Sequence, residues 1–351
     1  MCARAGPQGA VCPHAGRAWG PRGSAQGGGI LVLEARIDLY GLARQVQDRY
    51  GLPIADLTPV PPGTEALGLV AGGRHFVRAE AEADIEAALA VPLALREEGG
   101  MTQVVAPYRS RSGRLTFVHG PYAVSVFPFV QGRAAEPADA AAAAAVLAQV
   151  HRSRLFLPKL RRVTLGHRLA QSVRRLLRAG ARRDTHHADE TRRLLHEERG
   201  SIEVALNTMR RLNAEARALP LRWAVTHGAP SLDNFLVDGL GRLHLIDWGT
   251  AALAPVERDL WRLNGPGFPA AVRSYAAETG WGRDLRPQAL TLYAHRGWLW
   301  EIVRSATTLL NGQGDQAQEE LAWAALNRCL PCPPSQLRKR CDAMREAIAA
   351  L

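Results

Sequence analysis

The residues with the clearest potential for chemistry lie in one short stretch, THGAPSLDNFLVDGLGRLHLIDWG at 226–249. Two apolar runs flank the turn sequence DGLG at 238–241, a pattern that predicts a β-hairpin. Asn234 precedes the first strand and Asp247 follows the second, so their side chains should lie together at the open end of the hairpin. An amide oxygen and a carboxylate are ligands that suit Mg²⁺ when it accompanies nucleotide phosphates. Taken singly, each residue can instead cap a turn or a helix.

Three further residues of interest come just before Asn234. His227 ends an apolar run, and a histidine in that position is more often a buried structural residue than a catalyst. Ala229 carries no polar group. Asp233 is the carboxylate next to Asn234, but adjacent residues of an extended loop tend to point apart, so Asp233 is a weak candidate to face the same ligand.

The first half of the chain predicts a small antiparallel sheet with one inserted helix. Helical spacing of apolar residues indicates a helix over 36–50, which Gly51 and Pro53 end. The Gly72-Gly73 pair between two apolar runs indicates a hairpin. Strands are expected in LTPVPPGT, ALGLVAGG, RHFVRAE, VVAPYR, RLTFVHG and YAVSVFPFV, with a helix in IEAALAVPLALREEGG.

From Glu136 onward the pattern becomes largely helical, beginning with the strongly helix-forming poly-Ala run at 140–145. The 226–249 stretch is the single β-rich interruption expected there. The organisation predicted from pattern alone is therefore a β-rich lobe over 31–130 and a helical lobe over 131–351, joined near 128–132 with a cleft between them. Further helices are expected in 165–180, 188–220, 269–279, 287–312 and 317–329.

Composition narrows the class of protein. With 351 residues, 47% of them hydrophobic and 22% charged, the chain is typical of a soluble globular protein. Long apolar runs and the order of a signal peptide are lacking in the sequence, so we expect a cytoplasmic protein without a membrane span. Residues 1–30 are rich in Gly, Ala, Pro and Arg, which predicts a disordered tail.

The net charge of +11 permits binding to nucleic acid, but 42 of the 44 basic residues are arginines spread through helical segments. They are not interleaved with aromatic residues as in a single-strand binding groove, so a nucleic-acid partner is not expected. Cys329 and Cys332 have the CxxC spacing of zinc and redox sites, but a second ligand pair at suitable spacing is missing, so metal binding there is not favoured.

The 226–249 stretch resembles the aminoglycoside phosphotransferase and choline kinase family. Its members carry His-Gly-Asp, four residues, Asn, a hairpin and then Ile-Asp-Trp/Phe-Gly. The chain matches this spacing with His227, Asn234 and Asp247, but has Ala229 where the family has aspartate. Segments YGLPIADLTPVPPGT, VVAPYRSRSGRLTF, VSVFPFVQGR, LAQVHRS and PVERDL resemble the spectinomycin-phosphotransferase-like branch in the same order, across roughly residues 38 to 312.

The resemblance implies an α+β, bilobal protein-kinase-like fold with a β-rich N-lobe and a larger helical C-lobe. It implies ATP between the lobes, with adenine against the backbone of the linker, and Mg²⁺ held by Asn234 and Asp247. His227 would be a structural residue of the catalytic loop, and Asp259 would support that loop from the start of a helix. The linker residues concerned are Phe127, Phe129 and Val130.

Three departures from the family pattern bear on activity. Ala229 can neither accept the proton of a substrate hydroxyl nor orient it, and Asp233 is the nearest possible substitute. Arg78 stands where the family has a lysine that contacts nucleotide phosphates; its partner can be Glu82, Glu86 or neither, and it can instead be a surface arginine. The loop over the phosphates, 61–66, contains two prolines, which lack amide donors, and an acidic residue.

Two functional hypotheses follow. The first is a pseudokinase-like module that binds nucleotide or another small ligand, with a protein partner as a further possibility. The second is an active ATP-dependent phosphotransferase acting on a hydroxyl of a small molecule such as an aminoglycoside-like antibiotic. Trp298, Trp300 and Glu301 are weak candidates for a ligand pocket, since a tryptophan pair at this spacing is more often part of a core.

Overall fold

This computed structural model describes residues 37–54, 56–60, 66–81, 85–163, 168–178, 186–312, 316–331 and 334–351. The predicted tail, the loop residues 61–65, Glu82 and Cys332 lie outside these ranges. Residues 57–128 contribute a five-stranded antiparallel sheet, and most of the chain after it is helical. The α+β, bilobal organisation predicted from the sequence is confirmed. Within the described residues, the helices are too short or too polar to cross a membrane.

The N-lobe sheet has the strand order β1-β2-β3-β5-β4. The hairpin predicted at Gly72-Gly73 is confirmed, because β2 and β3 pair from Ala71 with His75 and both glycines have positive φ. The run VVAPYR is not a strand; within it Val104 makes only an isolated bridge to Leu245 of the C-lobe. The strands are β1 (Leu57–Pro59), β2 (Ala66–Ala71), β3 (His75–Ala81), β4 (Thr116–His119) and β5 (Tyr122–Pro128).

The described part of the N-lobe contains two helices, which pack against different cores. Helix α1 (Leu39–Tyr50) begins where the Asp38 side chain accepts a hydrogen bond from the Gly41 amide at 2.9 Å, and it ends at Gly51 in the left-handed conformation. Its buried residues pack against one face of the sheet. Helix α2 (Glu86–Glu97) belongs instead to a core that it shares with the C-lobe. Helix α2 is therefore fixed to the region that holds the candidate site.

The C-lobe is formed by helices around two small sheets. Strands β6-β8-β9 form one sheet, and β7 pairs with β10 in the other. Sequence reasoning missed β6 and β10, because each is short and gains its pairing partner only in the folded chain. The strands are β6 (Gly132–Ala134), β7 (Trp223–Thr226), β8 (Phe235–Asp238), β9 (Leu243–Leu245) and β10 (Ala252–Pro255).

The helices predicted in the C-lobe are present, although 188–220 forms two helices rather than one. The segments expected from pattern did not include the helices Glu257–Leu260 and Pro334–Ala349. Buried apolar side chains of α4, α5, α6, α9 and α10 form a separate core, away from the core beneath the β8–β9 hairpin. The helices are α3 (Ala140–Arg152), α4 (Arg168–Leu176), α5 (Ala188–Glu197), α6 (Arg199–Ala218), α7 (Glu257–Leu260), α8 (Phe268–Thr279), α9 (Pro287–Asn311), α10 (Gln316–Cys329) and α11 (Pro334–Ala349).

Candidate active site

The hairpin predicted between Asn234 and Asp247 is confirmed, with Phe235 paired to Leu245. Asp238 organises its turn by accepting hydrogen bonds from the amides of Leu240 and Arg242, both at 2.9 Å. The His244 ring and the Arg242 side chain also contact this carboxylate, and these hydrogen bonds hold the pKa of Asp238 well below its usual range. The turn thus fixes the register that positions the two ends of the hairpin.

At the open end of the hairpin, Asn234 is held by hydrogen bonds of both its backbone and its side chain. Its carbonyl accepts the Ile246 amide at 3.0 Å, and its side-chain nitrogen Nδ2 donates to the Ala229 carbonyl at 2.7 Å. With Nδ2 used in this way, the amide oxygen Oδ1 is the atom of this side chain that can face a cation. Asp233 precedes it in the one-turn 3₁₀ helix Leu232–Asn234, and its side chain is exposed.

Asp247, at the other end of the hairpin, has a backbone φ of 65°. This left-handed conformation is uncommon outside glycine and is a form of local strain that concentrates at functional sites. Burial works to raise the pKa of Asp247, but the adjacent Arg78 guanidinium outweighs it, so the pKa lies below its ordinary value. The carboxylate is therefore ionised at neutral pH.

Arg78 reaches across from β3 of the N-lobe to pair with Asp247. Its side chain is 14% exposed, so the surface-arginine alternative does not apply. A second carboxylate, Glu80, lies 3.4 Å from the Arg78 Nε. Glu86 is not the partner: its carboxylate accepts the amides of Leu115 and Thr116 at the start of β4.

His227 is fully buried directly before Gly228 and Ala229. Its Nε2 donates to the Ile246 carbonyl at 2.8 Å, while its Nδ1 accepts the Ala229 amide at 3.3 Å. Burial lowers the pKa of His227, and the two contacts together require the neutral ring with its proton on Nε2. The ring also packs edge-on against Trp248 at 4.6 Å. This histidine thus links the loop to the hairpin end that carries Asp247.

Asp259, at the start of α7, supports the same loop from beneath. One carboxylate oxygen accepts the His227 amide and the other the Gly228 amide, each at 2.7 Å. His151 of α3 lies 3.1 Å from the first oxygen and is itself 2.9 Å from the Tyr275 hydroxyl. Burial works to raise the pKa of Asp259, but the His151 contact and nearby positive groups hold it below its ordinary value.

Arg258 is a site residue that sequence reasoning missed. Its guanidinium donates to the Thr226 hydroxyl at 2.8 Å and to the Thr250 carbonyl at 2.9 Å. It also packs against Gly228, whose φ of 98° and whose contact with this guanidinium leave no space for a Cβ atom. The sequence signal that could have identified Arg258 is its position next to Asp259 in PVERDL, because both residues contact the segment around Gly228.

The linker between the lobes follows β5. Phe127 is buried and pairs with Phe76 of β3, and Phe129 donates its amide to the Arg74 carbonyl at 2.8 Å. Val130 is partly buried against the core of the C-lobe. Pro128 lacks an amide hydrogen, so Val130 is the next backbone donor along the linker after Phe129.

The three candidate pocket residues on α9 do not share one contact region. Trp298 packs toward α10, where its Nε1 donates to the Cys329 carbonyl at 3.3 Å. Trp300 is 52% exposed, and residues two apart on a helix face different directions. Glu301 pairs with Arg304 and accepts the Ser305 hydroxyl at 3.2 Å within the same helix.

A surface cleft of about 210 Å³ lies between α4 and α6. Four arginines and one glutamate supply its charged lining, and Arg199 pairs with that glutamate, Glu203, at 3.0 Å. Its net positive charge is suited to an anionic group rather than to a cationic one. The lining residues are Arg174, Leu177, Arg178, Arg199, Glu203, Leu206, Asn207 and Arg210.

Several known proteins are similar to this chain. Protein StrN of Streptomyces griseus is 29% identical over 277 residues, which span 73% of this chain and 80% of that protein. The solved structure of spectinomycin phosphotransferase, APH(9)-Ia, in complex with ADP and spectinomycin is similar with a TM-score of 0.71. It is 17% identical and covers 88% of this chain and 99% of its own.

A microcompartment-associated aminopropanol kinase is similar with a TM-score of 0.59 and 18% identity, covering 83% of this chain and 95% of its own. At these identities the solved structures show the fold alone. The model of the phosphotransferase enzyme family matches residues 73–304, which include β3, the linker, the loop and the hairpin. The chain therefore belongs to the phosphotransferase enzyme family.

Proposed function

We propose that this protein is a nucleotide- or small-molecule-binding member of the phosphotransferase family that does not carry out base-assisted phosphoryl transfer. One observation carries the proposal: Ala229 occupies a loop whose supporting contacts are all in place. Asp259 holds the amides of His227 and Gly228, and Asn234 holds the Ala229 carbonyl. The hydrogen bonds that hold the loop are therefore present, but the residue at position 229 has only a methyl side chain.

The missing carboxylate has a definite chemical cost. Transfer of a γ-phosphoryl group to a hydroxyl uses a carboxylate that accepts the hydroxyl proton and orients its oxygen, and such help contributes about 10²–10⁴-fold. A methyl group at position 229 supplies neither. Asp233 is exposed while its neighbour Asn234 is held inward, which supports the view that Asp233 does not replace the base.

The proposed nucleotide lies between the lobes against the linker. The related structure that holds ADP and spectinomycin supports an adenine nucleotide as its ligand. The Val130 amide and the carbonyls around it are the backbone groups suited to a purine edge. Acceptor recognition would come from the helical C-lobe, with a small hydroxylated molecule as the ligand class; whether Trp298, Trp300 and Glu301 take part stays a proposal.

The donor set at the hairpin end fits magnesium in its chemistry, since the Asn234 amide oxygen and the Asp247 carboxylate are hard oxygen ligands. When bound, magnesium would neutralise phosphate charge at this position. Arg78 already neutralises Asp247, so a metal ion would have to share that carboxylate with a guanidinium or displace it. We therefore propose that Arg78 performs part of the role that magnesium has in catalytic members of the family.

A second candidate function is active phosphoryl transfer to a small-molecule hydroxyl. The intact contacts of Asp259, His227 and Asn234 favour it, because they keep the loop in one defined geometry. In this case the transition state would depend on positioning and charge rather than on a base.

The first experiment is a thermal-shift titration of the full chain with ATP, with and without Mg²⁺. We expect ATP to raise the melting temperature, because a ligand that binds the folded state stabilises it by mass action. Asp247→Asn should alter this shift, whereas Asp233→Asn, an exposed neighbour, should not. If no adenine or guanine nucleotide shifts the transition, the nucleotide part of the proposal is wrong. Release of ADP dependent on a small-molecule acceptor would support the second candidate instead.

A further inference from the structure

Three metal-ligating side chains come together away from the candidate active site. His186 and His187 lie just before α5, and Glu320 lies on α10. One ligand atom from each residue lies within 4.8 Å of the other two, and His187 Nε2 is 3.0 Å from Glu320 Oε1. The two histidines are distant in sequence from Glu320, so only the folded chain brings these groups into one cluster.

The central ligand of this cluster is held in a fixed orientation. The His187 ring stacks on Trp323 of α10, with ring centroids 4.7 Å apart and planes 8° from parallel. Its side chain is 11% exposed, whereas that of Glu320 is 53% exposed. His186 packs edge-on against it at 4.6 Å. One rigid ligand thus lies between two solvent-accessible ligands that can adjust their rotamers.

We propose that His186, His187 and Glu320 form a binding site for one transition-metal dication of the Zn²⁺ class, with water in the fourth position. Two imidazoles and a carboxylate suit zinc, cobalt and nickel rather than magnesium or calcium. Bonds of about 2.0–2.1 Å in a tetrahedral site separate the ligand atoms by about 3.3 Å. The His187–Glu320 pair, at 3.0 Å, is already near this separation. A rotation of the exposed His186 side chain would bring the third ligand atom to the same distance.

Metal binding changes the protonation of the cluster. The hydrogen bond between His187 Nε2 and Glu320 requires a proton on the nitrogen when Glu320 is ionised. A metal ion on Nε2 replaces that proton, which moves to Nδ1 or leaves to the buffer. The bound ion then joins the start of α5 to α10, two elements whose apolar residues pack with α9 in one core. Its expected effect is to stabilise this helical region.

The test uses the tag-free full chain, treated with EDTA and dialysed. Co²⁺ is titrated and followed by visible absorption, Zn²⁺ binding is measured by calorimetry, and melting temperature is recorded with and without Zn²⁺. We expect one ion per chain and a higher melting temperature. His186→Asn and Glu320→Gln each alter an exposed side chain, so both variants should fold, yet each should weaken binding by about tenfold or more.

Control variants separate this site from others in the chain. Asp247→Asn should bind Co²⁺ as the unaltered protein does. Trp323→Phe should also retain binding, but it removes the tryptophan whose fluorescence a Co²⁺ ion bound at His187 would quench. The proposal is overturned if affinity is weaker than about 100 µM, or is unchanged in both His186→Asn and Glu320→Gln. An intense thiolate-to-cobalt absorption band would also overturn it, because it would assign the ion to cysteines.

Discussion

Arg78 of β3 and Asp247 of the β8–β9 hairpin form an ion pair that joins the two lobes. The family lysine at the Arg78 position would contact nucleotide phosphates, but this guanidinium also contacts Glu80. An arginine is always charged and presents several donors in a rigid plane, so it can serve two carboxylates at once. The guanidinium thus supplies the site with a permanent counter-ion for Asp247.

We expect ATP affinity in the unaltered protein to depend little on Mg²⁺, because Arg78 already neutralises Asp247. Arg78→Met should make Asp247 available to the ion and raise the dependence on Mg²⁺ about tenfold, equivalent to roughly 1.4 kcal/mol. Calorimetric titration with ATP, once in EDTA and once in Mg²⁺, measures the two dissociation constants for each protein.

Arg109→Met is the matched control, since Arg109 forms an ion pair with Glu97 in which both side chains are 52% exposed. It should leave the ratio of the two dissociation constants unchanged. An unaltered protein that binds ATP only with Mg²⁺ would contradict the prediction. So would an Arg78→Met variant whose two dissociation constants keep the ratio of the unaltered protein.

Restoring the family carboxylate should restore chemistry if nucleotide binds. Ala229→Asp places a base in a loop already held by Asp259 and Asn234, and we expect ADP formation from ATP to rise by about 10²–10⁴-fold in the presence of a suitable acceptor or water. Ala229→Asn adds similar bulk but has no proton-accepting carboxylate. Equal rates for the two variants would show that position 229 does not limit the reaction.

Removing the charge of Asp259 should destabilise the protein. Asp259→Asn replaces one carboxylate oxygen by an NH₂ group, which cannot accept a hydrogen bond. Either the His227 amide or the Gly228 amide then loses its acceptor, and we expect the free energy of unfolding to fall by about 3 kcal/mol. Denaturant unfolding monitored by circular dichroism measures the loss. Asp233→Asn, at an exposed position, should stay within about 0.5 kcal/mol of the unaltered protein. Similar stability losses in both variants would argue against this support role.

The same carboxylate contributes to acid stability. The pKa of Asp259 is lowered in the folded state, so its stabilising contribution is fully present above the unfolded pKa and is lost as pH falls through the folded value. In Asp259→Asn this part of the acid dependence should disappear. Unfolding free energies between about pH 2 and pH 6 test this, and an unchanged slope would exclude Asp259 as its source.

Glu257 should give the opposite pH dependence. This side chain is fully buried, its Oε1 accepts the Arg286 amide at 2.9 Å, and burial raises its pKa to about 7. The folded state therefore binds more protons than the unfolded state between about pH 4.5 and 7, so stability falls as pH rises through that window. Glu257→Gln should remove this loss and stabilise the protein at pH 8 by on the order of 1–3 kcal/mol.

Chemical unfolding at several pH values checks the Glu257 prediction. Glu278→Gln, an exposed carboxylate near the end of α8, should retain the slope of the unaltered protein. If Glu257→Gln is instead less stable than the unaltered protein at pH 8, the fold stabilises the ionised carboxylate of Glu257, contrary to the expected sign.

Local sequence patterns predicted the elements that hold the site. The alternation of apolar residues around DGLG predicted the β8–β9 hairpin, and hairpin geometry placed Asn234 and Asp247 at one end. Helices and the N-lobe hairpin at Gly72-Gly73 followed from periodicity and glycine position. These features depend on residues close in sequence, whose geometry the backbone largely fixes.

Contacts between distant segments were decided only by the tertiary structure. Arg78 and Asp247 are 169 residues apart, and His151 reaches Asp259 across 108 residues. Sequence reasoning offered Glu82, Glu86 or neither as the partner of Arg78, and it identified neither Glu80 on β3 nor Asp247 across the cleft. The sequence by itself thus determined a phosphotransferase-like loop with alanine at position 229. The packing of the two lobes decided which charged side chains of the site pair with each other. A charged group that is removed from water is costly unless it is paired, and only the fold determines which partner lies within reach.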